Sequence, residues 1–339
     1  MVSGRAAARA SAIPGRSGRE KDFPSGRIRV GSPRVVYPPV PMNPKFRPAP
    51  WFALPGVLLG LGFAPVARAL EVFNYSATTH ERFSSGFPSS PVANASFLYS
   101  GYNLSGIGWT TGNFGVTLIS PRHFLTAAHV TVGSTVSFMG TDGVVRSYTV
   151  DSTSVIEHSA GVATDLKIGR LSAPISGGDN IAHYSTLLLN TAAAYHGLTV
   201  SVFGNGGRAG SNTLDLAGNA DMLPFGAPNG VIDNTVFITD YDSVTGQTQG
   251  QGGDSGSPTF FPVNGTLALI GTHSAIDSGS SPVRTFDVLI PAYYNAINTQ
   301  LAADGYTFGA FTAIPEPSTW AALAGGAALA FAAGRRRRR

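Results

Sequence analysis

Three short segments of the 339-residue chain contain the residue types that activate a hydroxyl group. Residues 125–129 place His129 after small residues that allow a tight turn at a strand end, and Asp165 stands before a run of alternating apolar residues. Residues 252–258 are rich in glycine, which permits a backbone that exposes the Ser255 hydroxyl and points neighbouring N–H groups outward. Their order along the chain is histidine, aspartate, serine.

The chemistry that this set supports is nucleophilic attack by a serine. A serine hydroxyl is a poor nucleophile at neutral pH and needs an adjacent base, for which an imidazole is suited. His129 would take the proton from Ser255 and return it to the leaving amine, while Asp165 would fix the ring tautomer. The N–H groups of Gly253 and Ser255 would bind the developing oxyanion, each contributing about 3 to 4 kcal/mol in the transition state. This chemistry requires no metal and no cofactor.

Two other aspartates could orient the histidine. Asp142 and Asp151 both lie in turn-like settings, and neither precedes an apolar alternating strand. Asp165 is therefore the preferred orienting acid, with the other two as alternatives.

The elements that must position these residues are predicted to be strands. Short runs of alternating apolar residues, each bounded by Gly, Pro, Asn or Asp, cover residues 115–120, 134–139, 144–150, 198–203, 231–239, 267–271 and 284–289. One helix is predicted over residues 292–302, opened by Pro291, with Tyr293, Ile297 and Leu301 on one face. Many short strands followed by one helix predict an all-β fold of closed or packed antiparallel barrels.

Together the three segments resemble the trypsin/chymotrypsin-like family of serine peptidases. The family's TAAH motif matches residues 126–129, its Asp-led strand matches residues 165–171, and its GDSGGP motif matches residues 253–258, with Ser257 in place of one glycine. The resemblance covers most of residues 108–303. It implies two antiparallel Greek-key barrels with a C-terminal helix, and peptide-bond hydrolysis through an acyl-enzyme formed by a His-Asp-Ser triad.

The resemblance also suggests which residues contact the substrate. Gln249 stands where trypsin has the aspartate that selects Lys or Arg, so tryptic cleavage is not expected. Ser274 matches the segment that pairs with the substrate backbone, and His273 stands where glutamyl endopeptidases carry a histidine against the substrate carboxylate. The alternative for His273 is a hydrogen-bonded histidine in a strand with no role in specificity.

Two departures from the family pattern concern activation and disulfides. Asp254 matches the residue that commonly receives a new N-terminus on zymogen activation, but no Ile-Val-Gly-Gly-like segment precedes His129. The sequence therefore predicts activity without such an insertion. Val130 and Gln251 stand at positions that usually form disulfides, so the barrels are expected to depend on packing.

The start of the chain is predicted to be an export signal. Residues 42–69 begin at Met42, continue with basic and then apolar residues, and end in an A-x-A cleavage site at residues 67–69, as in a secretory signal peptide. The mature chain would begin at Leu70. Residues 1–41 are predicted to be an untranslated or disordered leader, because a signal peptide normally begins at the initiator methionine.

The end of the chain is predicted to be a sorting signal. Pro315, Glu316 and Pro317 are followed by an apolar run over residues 321–334 and by five arginines. The run is shorter than the roughly 20 residues that span a bilayer, which favours a transient anchor. Residues 315–339 resemble the PEP-CTERM signal of Gram-negative bacteria, which implies transient contact with the inner membrane and an exosortase-type sorting enzyme. A plain tail anchor is the alternative.

The distribution of charge argues against a nucleic-acid partner. The chain has a formal charge of +4, but residues 70–314 carry 7 basic and 16 acidic side chains, a net charge of −9. The positive charge belongs to the two ends. The absence of cysteine excludes disulfides, thiolate metal sites and a cysteine nucleophile.

The sequence therefore predicts a peptidase domain over residues 70–314 that acts on protein or peptide substrates. We expect export from a Gram-negative cell to the periplasm, cell surface or extracellular matrix. The alternative is a catalytically silent protein that keeps the barrels for binding at a cell surface or in a biofilm matrix.

Overall fold

The computed structural model describes residues 70–222 and 232–312, and most of the regular secondary structure in this part of the chain is β-strand. The strands are β1 (Glu71–Val72), β2 (Phe83–Ser85), β3 (Val92–Ala93), β4 (Ile107–Thr110), β5 (Gly115–Ser120), β6 (His123–Ala127), β7 (Thr135–Met139), β8 (Val145–Ser159), β9 (Val162–Leu171), β10 (Thr186–Leu187), β11 (Thr199–Phe203), β12 (Ala209–Thr213), β13 (Leu216–Met222), β14 (Ile232–Tyr241), β15 (Thr248–Gln249), β16 (Pro258–Val263), β17 (Thr266–Asp277), β18 (Val283–Leu289) and β19 (Ala310–Phe311). The helices are α1 (Ala77–His80) and α2 (Tyr294–Ala302). The predicted all-β class is confirmed.

Six strands close into a first antiparallel barrel. Around the ring the order is β4, β5, β6, β9, β8 and β7, and β7 pairs back with β4. Its interior is filled by apolar side chains at alternate strand positions, including Val116, Leu118, Phe124, Val136 and Phe138. A Cβ on Gly169 of β9 would lie 2.0 Å from the Phe124 ring, so the close pairing of β6 and β9 requires glycine there.

A second barrel is formed by β12, β11, β16, β17, β18 and β14, again in antiparallel order. Asn212 of β12 closes the ring, because its side-chain amide donates 3.2 Å to the Asp240 carbonyl and 2.9 Å to the Thr248 carbonyl. Strand β13 extends β14 as a hairpin. The buried apolar side chains of this barrel include Val200, Val202, Phe237, Ile270 and Leu289.

The predicted strands agree with the structure where one face of the strand is buried. Five of the seven start and end within two residues of the observed strands, but β8 and β17 are longer than predicted. Strand β8 continues to Ser159 because it pairs with β9 along its length, while most of residues 151–159 are exposed and polar. Such a stretch has no apolar alternation by which the sequence could reveal it.

The C-terminal helix forms nearly where it was predicted. A 3₁₀ turn at Ile290–Tyr293 leads into α2, and the predicted face of Tyr293, Ile297 and Leu301 is buried. The structure adds one short helix, α1, that the sequence did not predict.

The segment after residue 70 is attached to the second barrel. Glu71 of β1 pairs with Gln249 of β15, and Arg208 forms an ion pair with Glu81 at 2.7 Å. Arg208 also donates 3.2 Å to the Leu70 carbonyl. These contacts fix the chain at Leu70 beside the loop that contains Ser255.

The predicted export and sorting signals lie outside the described residues, as does the predicted leader. Among the helices of residues 70–222 and 232–312, none is long and apolar enough to cross a membrane.

Candidate active site

The structure brings His129, Asp165 and Ser255 together. The imidazole Nδ1 lies 2.9 Å from both carboxylate oxygens of Asp165, and Nε2 lies 2.7 Å from the Ser255 hydroxyl. The histidine follows β6 and the aspartate belongs to β9, both in the first barrel. The serine lies in the loop between β15 and β16, so the three residues meet between the two barrels.

Pairing between β6 and β9 fixes the histidine relative to the aspartate. Ala127 pairs with Leu166 in the β-ladder. The next residue, Ala128, extends this pairing, because its N–H donates to the Asp165 carbonyl at 3.1 Å. The backbone N–H of His129 then donates 3.0 Å to the Asp165 carboxylate. Asp165 is the fourth residue of β9 and lies inside the strand, because β9 begins at Val162, earlier than the sequence predicted.

The Asp165 carboxylate is buried and accepts hydrogen bonds from both barrels. Its side chain is 3% exposed, and the Ser274 hydroxyl donates to it at 2.5 Å. Ser274 lies on β17 of the second barrel, so its side chain holds the orienting acid in place. The alternative acids lie elsewhere, since Asp142 pairs with Arg146 and Asp151 pairs with Arg170.

The nucleophile loop has the backbone that its glycines predict. Gly253 has a φ of 106° and Gly256 a φ of 80°, both in the region that favours glycine. Within the described part of the chain, the N–H groups of Gly253 and Ser255 donate no hydrogen bond. These two N–H groups, which belong to the residues on either side of Asp254, can bind an oxyanion beside the serine.

The neighbouring carboxylate, Asp254, is buried behind this loop. It accepts hydrogen bonds from the backbone N–H groups of Asn205 at 2.7 Å, Gln251 at 2.7 Å and Leu70 at 3.2 Å. Burial raises the pKa of Asp254, and these donors act against that shift. The segment upstream of His129 thus reaches Asp254 through the Leu70 N–H, although it has no Ile-Val-Gly-Gly-like start.

His273 belongs to a buried polar chain in the second barrel. Its Nδ1 lies 2.5 Å from the Asp287 carboxylate, whose other oxygen accepts the Thr259 hydroxyl at 2.6 Å. Burial disfavours the imidazolium, but the Asp287 and Asp254 carboxylates together outweigh this effect and the pKa of His273 is raised. The ring is 4% exposed, and its Nε2 has no hydrogen-bond partner among the described residues.

Sequence reasoning missed Asp287 and Thr259. The available signal was an acid inside the apolar run of residues 283–289, because a buried carboxylate requires a partner.

Gln249, the other predicted specificity residue, ends β15 and is half-buried. Among the residues that the structure describes, no group of three or more His, Asp or Glu side chains could hold a metal ion.

Comparison with known proteins identifies the family. The Trypsin family model matches residues 105–297, which is more than half of the chain. The chain belongs to the Trypsin family. No curated protein matched it. Among solved structures, a mutant of human heparin binding protein (CAP37) is similar at 18% identity and a TM-score of 0.43, over 60% of this chain and 93% of that chain.

Membership of the Trypsin family agrees with the two antiparallel barrels and with the resemblance seen in the sequence. The match begins at residue 105 and leaves the segment from Leu70 to residue 104 outside it. That segment supplies the Leu70 N–H on Asp254 and the Glu81 carboxylate on Arg208. The contacts behind the nucleophile loop therefore include a part of the chain that the family model does not cover.

The geometry of this loop predicts that substitution by alanine destabilises the protein at Gly256 and leaves its stability unchanged at Gly252. A Cβ on Gly256 would lie 2.2 Å from the Thr126 hydroxyl and 2.4 Å from the Gly115 carbonyl, and the backbone there has positive φ. We expect Gly256→Ala to lower the free energy of unfolding by roughly 2 to 4 kcal/mol. Gly252→Ala is the matched control, because a Cβ there meets no atom within 4 Å. Urea unfolding measures both, and equal stability of the two variants would contradict the loop geometry.

Proposed function

We propose that the protein is a serine endopeptidase that hydrolyses peptide bonds through an acyl-enzyme. The observation that carries the proposal is the continuous chain of hydrogen bonds from Asp165 through His129 to Ser255, with distances of 2.9 Å and 2.7 Å. Trypsin family membership supports the same reaction class. Substrates are proteins or peptides.

The reaction uses each group in turn. His129 accepts the proton of the Ser255 hydroxyl as the oxygen attacks the peptide carbonyl, and Asp165 stabilises the imidazolium that forms. The N–H groups of Gly253 and Ser255 bind the oxyanion of the tetrahedral intermediate. His129 then protonates the leaving amine, and water attacks the acyl-enzyme with the same residue as base.

The proposed specificity is non-tryptic, with a preference for an acidic residue before the scissile bond. Gln249 offers no negative charge to a basic side chain. His273 lies directly behind the nucleophile loop, because its N–H donates to the Ser257 carbonyl and its carbonyl accepts the Gly256 N–H. The Asp287 and Asp254 carboxylates favour a positive ring there, and its charge would attract the carboxylate of an acidic substrate side chain.

Digestion of a peptide library tests activity and specificity together. We expect internal cleavage that is absent in Ser255→Ala, few cuts after Lys or Arg, and enrichment of Glu before the cut, read by mass spectrometry of the products. Predominant cleavage after Lys or Arg would contradict the interpretation of Gln249. No cleavage by correctly folded wild-type protein would favour the silent binding protein.

A substitution of the buried histidine separates specificity from activity. We expect His273→Gln to lower the ratio of kcat/KM for Glu over Gln before the scissile bond by about tenfold or more, since it removes a positive charge. His196→Gln is the matched control, because His196 is exposed. An unchanged ratio in His273→Gln would mean that His273 is structural only.

The proposed export route follows from the two ends of the chain. Residues 42–69 would direct secretion, and cleavage would leave Leu70 as the first residue. Residues 315–339 would hold the protein transiently in the inner membrane for an exosortase-type enzyme of a Gram-negative cell. The product would be periplasmic, displayed on the cell surface or retained in the extracellular matrix.

Intact-mass measurement of protein recovered from an exporting Gram-negative host tests this processing. We expect an N-terminus at Leu70 and loss of the C-terminal arginines, because both signals are removed during export. Retention of Arg339 in the mature protein would contradict sorting and favour a plain tail anchor. A start at another residue would contradict the proposed cleavage site.

The sequence predicts activity without insertion of a new N-terminus, but the contact of Leu70 with Asp254 favours the opposite proposal, that the same N-terminal cleavage completes the active site. It would convert the Leu70 N–H, 3.2 Å from the Asp254 carboxylate, into a positively charged amino group. A buried carboxylate is stabilised much more by a cation than by a neutral donor. Because Asp254 lies between the two proposed oxyanion donors, the new ion pair would hold both of them in place.

A form that retains its signal peptide tests this activation. We expect an Ala69→Tyr protein, which should resist cleavage, to hydrolyse library peptides at least about tenfold more slowly than the processed protein. The comparison requires equal folding of the two forms, which near-UV circular dichroism reports. Equal rates in the uncleaved and processed forms would contradict a role for the Leu70 amino group.

A further inference from the structure

Lys167 stands out because of where it lies and because it has no equivalent elsewhere in the domain. The chain has three lysines, at positions 21, 45 and 167, so Lys167 is the single lysine of residues 70–314. It lies two positions after Asp165 on β9, and alternate residues of a strand point to the same face. Its ammonium group donates 2.7 Å to the Val130 carbonyl, immediately after His129.

That bond completes the attachment of the segment that contains the histidine. The His129 N–H is held by the Asp165 carboxylate at 3.0 Å, and the Val130 N–H turns back to the Ala127 carbonyl at 3.2 Å. The Val130 carbonyl is held by Lys167. Strand β9 thus fixes the imidazole ring and the backbone on both sides of it, in a chain that has no cysteine with which to cross-link this turn.

The Asp165 carboxylate also acts on the charge of Lys167. Thr126 of β6 and Val155 of β8 flank it in the sheet, and Asp165 is the charged side chain that acts on it. Burial lowers the pKa of Lys167, and the Asp165 carboxylate opposes that shift. The Asp165 carboxylate thus helps to hold the Lys167 ammonium group at the Val130 carbonyl.

We propose that Lys167 is a positioning residue for the catalytic histidine: its ammonium group fixes the turn after His129 and so holds the ring where it can act as a base. The proposal rests on the proposed peptidase function. Lys167 contacts neither the nucleophile nor the oxyanion donors, so its effect passes through His129.

The test measures the rate of inactivation by a fluorophosphonate as a function of pH. For Lys167→Met we expect a maximal rate lower by roughly tenfold, because a small displacement of the base is costly. Lys167→Arg should recover most of the rate, because a guanidinium group can also donate to the Val130 carbonyl.

Arg170→Met is the matched control. It removes a positive charge from the same strand, where Arg170 pairs with Asp151 and Asp304, away from the histidine. We expect its pH profile to overlay that of the wild type. A Lys167→Met profile that also overlays the wild type, or an Arg variant as impaired as the Met variant, would overturn the proposal.

Nuclear magnetic resonance of the unsubstituted protein provides a measurement that needs neither a variant nor activity. Labelling with [ε-¹³C]lysine gives one lysine signal in a chain that begins at Leu70. We expect this lysine signal to shift at the pH where the His129 ring signal titrates. A lysine signal that does not change across that pH range would overturn the proposal. Failure of the peptidase function itself would instead appear as wild-type protein that does not react with the fluorophosphonate.

Discussion

The arrangement of the site depends on one buried carboxylate. Asp165 is almost inaccessible to water, and a charged group in that position is tolerated only when its hydrogen bonds are satisfied. The donors come from the His129 ring, the His129 backbone and the Ser274 hydroxyl. Because these groups belong to different barrels, satisfying the carboxylate also sets the position of the two barrels at the proposed catalytic residues.

A second set of buried charges lies behind the nucleophile. Asp254 and Asp287 are both nearly inaccessible, and the positive form of His273 is favoured by both. The Asp254 carboxylate also gathers backbone N–H groups from three separate segments of the chain, at Leu70, Asn205 and Gln251. The shape of the loop that presents Ser255 is therefore coupled to groups far away in sequence, including a segment that precedes the family match.

The sequence predicted the three residues of the proposed triad better than the buried contacts that lie behind the site. His129, Asp165 and Ser255 stand in short contexts whose residue types already suggest their roles, and the structure places them in contact. Asp287 could not be paired with His273 from the sequence, because their contact depends on the register of β17 and β18, which shifts just after His273. Leu70 could not be paired with Asp254, because the two are 184 residues apart in the chain. The extension of β8 was missed for a related reason, since its exposed half is stabilised by backbone pairing with β9 and has no apolar pattern.

The central claim is that Ser255 is a nucleophile activated by His129. Its most direct test is the mass of the folded protein after treatment with a fluorophosphonate, followed by peptide mapping of the adduct. The account predicts one adduct per chain, located on Ser255 and absent in Ser255→Ala. Correctly folded, processed protein that takes up no adduct, or takes it up at another residue, would contradict the account.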